Sequence, residues 1–165
     1  MIKKIKAKSS DPVPTSSGPR KSKKRSHKGY SGSFFSKKNN LSFVFRSSYE
    51  YAYFSKLEIN PMVVGYVSEP FFVYYMDIEG MIRRYFPDVM VLYLDGSIEI
   101  VEIKPSSMIG DDTVQRKADA VKEYIEIELR GKNAKFVFIT EEHIFNSQEE
   151  QSRFLLEARR RRNKK

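Results

Sequence analysis

The sequence contains no cysteine, and its two histidines, His27 and His143, lie far apart along the chain. Without cysteine, disulfides, thiolate metal sites and a cysteine nucleophile are all excluded. Two isolated histidines are also too few for a zinc cluster. The absence of cysteine is compatible with a reducing, cytoplasmic setting. Any metal chemistry would therefore have to use oxygen ligands.

Long apolar segments are also missing. No run approaches the ~18 consecutive apolar residues of a membrane-spanning helix, and no apolar signal-peptide core follows the N-terminus. We therefore expect no membrane association. A chain of 165 residues predicts one domain, with or without tails.

Acidic residues are scarce at both ends of the chain. Residues 1–40 hold twelve Lys/Arg and one acid, and residues 153–165 hold seven Lys/Arg and one acid. The middle, residues 41–152, carries eleven basic and nineteen acidic residues. Basic ends on an acidic body indicate arms that bind a polyanion, for which nucleic acid is favoured over another acidic partner.

The chain therefore divides into three parts. Residues 1–32 are rich in Ser, Pro, Gly and Lys/Arg and predict a basic arm that is disordered when free. Residues 33–146 predict the folded core, and residues 147–165 a C-terminal helix with a basic end. The candidate phosphate-contacting residues of the two ends are Lys21, Lys23, Lys24, Arg25, Arg159, Arg160, Arg161 and Arg162.

Two apolar strands joined at Asp95-Gly96 carry acids where a buried strand should have none. Asp88 begins the first strand, after Pro87, and Glu102 and Lys104 lie near the end of the second. Residues two apart in a strand share a face, so Glu102 and Lys104 point the same way. Whether Asp88 joins them depends on the turn.

The sequence permits two turns. A two-residue loop would pair Val89 with Glu102 and put Asp88 on the other face, whereas a three-residue loop with Gly96 left-handed would place Asp88 opposite Glu102. Two carboxylates on one face repel unless a cation lies between them, and hard divalent ions bind such oxygens. We therefore predict the three-residue loop, or a bulge that gives the same result.

The remaining elements predict an α/β fold with a central mixed sheet flanked by helices on both faces. In order, we expect a helix over about 48–58, strands over 63–68 and 71–76, a helix from about 111 to 130, a parallel strand over 135–140 and a last helix from about 147. Tyr30, Phe34 and Phe35 are expected to mark where the chain docks onto this body.

Several polar residues have two possible roles. Glu50, in the first helical turn, either interacts with the helix dipole or supplies a third carboxylate, and the sequence alone favours the dipole role. Arg83, Arg84 and Tyr85 directly precede Pro87-Asp88 and either contact a phosphate or balance nearby acids. Gln115 and Asp119 flank the buried stripe of their helix and either face the site or face solvent.

The P-D, gap, E-x-K pattern resembles the signature of the PD-(D/E)XK nuclease superfamily. The longer stretches FRSSYEYAYFSKLEINP (45–61), VGYVSEPFFVYY (64–75), RRYFPDVMV (83–91), IEIVEIKP (98–105) and KFVFITEEHIF (135–145) resemble its TnsA-like branch, and within that branch the head completion nucleases of tailed phages. The resemblance implies a restriction-endonuclease-like sandwich and a metal-dependent DNA endonuclease.

The resemblance also assigns roles. Glu50, Asp88, Glu102 and Lys104 would be catalytic, with Mg²⁺ (or Mn²⁺) bound by Asp88, Glu102 and the backbone carbonyl of Ile103 and with Glu50 in its outer shell. DNA would be the substrate, phage portal, neck or other head proteins further partners, and the bacterial host cytoplasm or the virion the location. The alternatives are a TnsA-like transposon endonuclease subunit and a non-catalytic DNA-binding or assembly protein that retains the fold.

Deletion of residues 1–30 tests the role of the N-terminal arm. Because each phosphate contact releases counterions, the deletion should weaken DNA binding and reduce its dependence on salt, while cleavage by bound protein persists. Affinities measured over a range of salt concentrations check this, and an unchanged salt slope would refute the predicted role.

Overall fold

The computed structural model describes residues 30–162. Its elements in chain order are β1 (Gly32–Ser36), β2 (Leu41–Phe45), α1 (Ser48–Ile59), β3 (Val63–Ser68), β4 (Val73–Met76), β5 (Ile82–Tyr85), β6 (Val89–Tyr93), β7 (Ile98–Ile103), a 3₁₀ turn (Ser106–Met108), α2 (Asp112–Glu128), β8 (Ala134–Ile139), α3 (Glu141–Ile144) and α4 (Gln148–Arg162). The fold is α/β, as predicted.

The central sheet has four strands in the order β3-β6-β7-β8. Strand β6 is antiparallel to both of its neighbours, β3 and β7, whereas β8 runs parallel to β7 after the crossover through α2. This confirms the predicted mixed sheet and the parallel position of the last strand. Two further hairpins, β1–β2 and β4–β5, form separate two-stranded sheets.

The turn between β6 and β7 has the predicted three-residue loop. The Tyr93 N–H donates to the Ser97 carbonyl at 3.0 Å, and Gly96 has the left-handed φ of 81°. Val89 accordingly lies opposite Val101. Continued by one residue, this register places Asp88 opposite Glu102, which is the arrangement that the predicted site requires.

Helices cover both faces of the central sheet, as expected from strands that are apolar on both sides. Tyr53 of α1 lies close to Tyr93 and Glu99, which point to one face. On the other face, Lys117 of α2 lies over the ring of Tyr85, whose hydroxyl reaches Glu102. The part of the sheet that lies between these helices is fully buried, since four of its residues have no exposed surface: Val89, Val91, Ile100 and Val101.

The N-terminal hairpin differs from the expectation for this segment. Tyr30 packs on Phe45 and Phe34 on Phe54, with ring centroids 5.2 and 5.7 Å apart, so docking by these two residues is confirmed. The prediction that Phe35 also docks onto the core was wrong, because Phe35 is 58 % exposed. Phe34 and Phe35 follow one another in β1, and successive strand residues point to opposite faces, so only one of them can face the core.

The helices begin and end close to their predicted limits. The Asp111 carboxylate accepts from the N–H groups of Thr113 and Val114 and caps α2, and Gly131, with φ 79°, follows its C-terminus. The short helix α3 was not predicted. No helix between residues 30 and 162 is both long and apolar enough to cross a membrane.

Substitution of Gly96 tests whether the left-handed turn fixes the register. Gly96→Ala should destabilise the fold by about 1–2 kcal/mol, since a Cβ disfavours this conformation although no atom lies within 4 Å of its position. Gly110→Ala is the matched control, because Gly110 also has open space but no positive φ. Urea unfolding measures both, and equal effects would contradict this role for Gly96.

Candidate active site

Asp88 is held in place by three hydrogen bonds at the start of β6. Its backbone N–H donates to the Val101 carbonyl and its carbonyl accepts from the Glu69 N–H, both at 3.0 Å. Its side-chain Oδ2 accepts from the Ile103 N–H at 2.7 Å. The carboxylate therefore has a fixed direction, toward the end of β7.

Glu102 and Lys104 meet Asp88 at this end of the hairpin. Glu102 is only 3 % exposed, and its Oε1 lies 2.8 Å from the Lys104 ammonium. Its Oε2 accepts a short hydrogen bond from the hydroxyl of Tyr85. The structure thus brings together Asp88, Glu102 and Lys104, three residues that the sequence predicts to form the site.

The pKa values reflect the crowding of negative charge. Burial of the Asp88 carboxyl, and then the charge of Glu102, raise its pKa well above the ordinary aspartate value, against the opposing effect of Lys104. Burial lowers the pKa of Lys104, but the charges of Glu102 and Asp88 outweigh burial and raise it. The ammonium therefore stays protonated beside two carboxyl groups.

Glu50 lies near these residues but its carboxylate is bound to the start of α1. Its Oε2 accepts from the Arg46 N–H at 2.9 Å and its Oε1 from the Ser47 hydroxyl at 3.0 Å. The Ser47 hydroxyl in turn accepts from the Glu50 N–H, as in a capping box. The charge of Glu50 still raises the pKa of both Asp88 and Lys104. Its role as an outer-shell residue stays a prediction.

Sequence reasoning missed the contact of Tyr85 with Glu102 and the position of Arg46 in this region. Tyr85 is buried and binds Glu102, and it lies two residues after Arg83 on the same face of β5. Arg46 pairs with Glu69, and its pKa is raised first by that hydrogen bond and also by the charges of Glu50 and Asp88. Strand alternation could have placed Tyr85 inward, but no sequence signal shows that the β4–β5 hairpin turns its inner face toward Glu102.

The other predicted site residues have contacts elsewhere. Arg83 pairs with Asp77 at 2.7 Å and with Glu79 at 3.9 Å, in agreement with the charge-balancing role. The Gln115 amide donates to the Ile109 carbonyl at 2.6 Å, and Asp119 pairs with Lys122. The structure shows neither Gln115 nor Asp119 in contact with the site.

The predicted residues of the basic ends are only partly described. Arg159 and Arg160 are exposed on α4, and Arg161 and Arg162 complete that helix. Lys21, Lys23, Lys24 and Arg25 lie outside the described residues. Contact of any of these residues with DNA stays a prediction.

The site offers a hard divalent cation two carboxylate ligands rather than a complete set of protein ligands. Asp88 and Glu102 offer two facing carboxylates, and the Ile103 carbonyl lies 3.4 Å from the Lys104 ammonium. Residues 30–162 contain no group of three or more His, Cys, Asp or Glu side chains that could hold a metal ion. Mg²⁺ commonly binds through one or two carboxylates and completes its shell with water and substrate phosphate, so the two carboxylates fit this ion.

Comparison with known proteins bears on the same region. Residues 60–141 match the family model TnsA-like endonuclease N terminal. The matched segment includes Asp88, Glu102 and Lys104, and it excludes Glu50 and α1. No curated protein matches the chain. The broad resemblance to TnsA-like endonucleases is thus confirmed over this segment, and the narrower resemblance to phage head completion nucleases stays a prediction.

The raised pKa of Asp88 predicts a pH-dependent cost of folding in metal-free protein. A carboxyl group whose pKa is raised in the folded state stabilises the fold at low pH. This stability is lost as the pH rises from the ordinary aspartate pKa, ~3.9, through the folded-state pKa. Asp88→Asn keeps an acceptor for the Ile103 N–H but has no charge. It should be more stable than wild type at neutral pH, with an advantage that disappears on acidification.

Urea unfolding in EDTA at several pH values measures this difference. Asp119→Asn is the control, because it removes an exposed carboxylate of α2 and should show no such trend. An Asp88→Asn variant that is less stable than wild type at neutral pH would contradict the assigned electrostatics.

Proposed function

We propose that the chain is a metal-dependent endonuclease that hydrolyses phosphodiester bonds of DNA. The observation that supports this most strongly is the convergence of Asp88, Glu102 and Lys104 at the end of the β6–β7 hairpin. The family match over residues 60–141 supports the same class of activity. The proposed cofactor is Mg²⁺, with Mn²⁺ able to substitute.

The carboxylates of Asp88 and Glu102 would hold the ion. At this position the two carboxylates would place a divalent ion where it could supply Lewis-acid polarisation of a phosphoryl oxygen and activation of a water. The Ile103 N–H keeps the Asp88 carboxylate aimed at the site, and the Tyr85 hydroxyl fixes Glu102. These two contacts reduce the rearrangement that the ligands must undergo on binding.

Lys104 would act on the phosphate itself. Its raised pKa keeps the side chain positively charged, and it is partly exposed beside Glu102. In this position the ammonium would stabilise the negative charge that develops on the phosphate oxygens, or orient the attacking water. Arg46, which is paired with Glu69, adds a second positive charge whose effect reaches Asp88.

We infer a role in DNA end processing during phage head completion from the resemblance of residues 45–145 to head completion nucleases. A TnsA-like transposon endonuclease subunit is the second candidate, favoured by the family match. A non-catalytic DNA-binding or assembly protein is the third. Metal-dependent cleavage separates the first two candidates from the third.

Cleavage of supercoiled, linear and branched DNA in Mg²⁺ or EDTA tests the activity. Asp88→Ala should abolish cleavage, and Lys104→Ala should lower its rate by about 100- to 1,000-fold, as expected for loss of transition-state stabilisation. Both should bind DNA nearly as well as wild type. Mg²⁺ should also raise the melting temperature of wild type but not of Asp88→Ala.

Glu126→Ala and Lys132→Ala are matched controls, since both residues are exposed and distant in sequence from the three site residues. These variants should cleave like wild type. Full activity of Asp88→Ala, or no cleavage of any DNA form by clean wild-type protein in Mg²⁺, would refute the proposed activity.

A further inference from the structure

The β4–β5 hairpin has two chemically different faces. Its inner face includes Val73 and Tyr85, which lie opposite one another and are buried. On its outer face Tyr74 lies opposite Arg84 and Met76 opposite Ile82, and Phe72 and Phe86 continue the same register beyond the strand ends. We call Phe72, Tyr74, Arg84 and Phe86 the aromatic face. The inner face holds Glu102 through Tyr85, while the aromatic face is left open.

The rings of the aromatic face contact one another yet remain accessible. The Phe72 centroid lies 5.5 Å from that of Tyr74 and 5.7 Å from that of Phe86. Tyr74 is 50 % exposed and Phe86 43 % exposed. Exposed aromatic rings cost free energy in water, and so a cluster of them indicates a surface with a binding partner.

The charge of the aromatic face indicates what kind of partner it binds. The Arg84 guanidinium lies 5.9 Å from the centroid of the Phe72 ring, and within residues 30–162 it forms no ion pair with an acid. Its neighbour Arg83, on the inner face, is paired with Asp77 and Glu79. The aromatic face thus offers ring surfaces together with an unneutralised cation, which is the combination that binds unpaired bases and their phosphates.

The strand that carries part of the aromatic face leads into the candidate active site, although this face lies on the side of β5 opposite to Tyr85. Phe86 precedes Asp88 by two residues, so their Cα atoms are at most about 7 Å apart. This is comparable to the distance between neighbouring phosphates along one DNA strand. A base held on Phe86 would therefore belong to a nucleotide close to the phosphate at Asp88 and Glu102, and a base held on Tyr74 to a nucleotide further along the strand.

We propose that the aromatic face stacks unpaired bases, so that the site acts on DNA with a single-stranded segment beside the cleaved bond. Bases in an intact duplex are stacked on each other and cannot offer their faces to Tyr74 or Phe86, whereas unpaired bases can. This inference rests on the proposed function for the position of the cut, but base binding itself does not require cleavage.

Fluorescence anisotropy of the full chain in EDTA tests the inference, with a single-stranded oligonucleotide and a blunt duplex as probes. Tyr74→Ala and Phe86→Ala should each weaken single-strand binding by roughly tenfold and leave duplex binding unchanged. Tyr74→Phe should retain single-strand binding, whereas Tyr74→Leu, which keeps apolar bulk, should lose it. Arg84→Ala should weaken single-strand binding as well.

Phe35→Ala and Arg130→Ala are the matched controls, because both residues are exposed and lie outside the hairpin. Both should bind like wild type. Unchanged single-strand affinity in Tyr74→Ala and Phe86→Ala would overturn the inference and favour an apolar protein surface as the partner of this face.

The binding experiment and the cleavage experiment can refute their two hypotheses separately. Loss of single-strand binding in the variants, with no cleavage by wild type in Mg²⁺, would support the aromatic face and refute the nuclease. Cleavage by wild type, with variants that bind and cut single-stranded and duplex DNA as wild type does, would support the nuclease and refute the aromatic face.

Discussion

Repulsion between two carboxyl groups is the constraint on which this structure depends. Asp88 and Glu102 face one another across β6 and β7, and each is largely enclosed by protein. Lys104 and Tyr85 satisfy the oxygens of Glu102, and the Ile103 N–H satisfies one oxygen of Asp88. The pKa of Asp88 nevertheless remains raised, first by burial and then by the charge of Glu102, so the Lys104 ammonium does not offset the two effects. A fold retains such a cost most readily where function requires it.

The arrangement of the site residues could be predicted from the sequence, because only one of the two turns that Asp95-Gly96 permits brings Asp88 opposite Glu102. Glycine at position 96 permits the left-handed turn, and that turn fixes which residues oppose each other in β6 and β7. The parallel position of β8 followed from the helix that precedes it. These features depend on few residues close in sequence, and short-range rules of backbone geometry describe them well.

Features that depend on tertiary packing could not be predicted in the same way. The contact of Tyr85 with Glu102 joins residues on separate sheets, and it requires the orientation of the β4–β5 hairpin. Glu50 satisfies donors at the start of α1, as the sequence favoured, and it also acts electrostatically on Asp88. The contacts at the start of α1 agree with the role that the sequence favoured for Glu50, and its role as a third carboxylate of the site stays a prediction. The aromatic face could not be predicted for a similar reason, since the alternation of side chains along a strand does not show which side of a hairpin packs on the core.

Anomalous scattering from crystals soaked in Mn²⁺ tests the central claim most directly, because it locates the ion without any assay of activity. The account predicts a peak within coordination distance of the Asp88 and Glu102 carboxylates that disappears in Asp88→Asn crystals. No peak at this position in the wild-type protein, or a peak that survives in the variant, would contradict it.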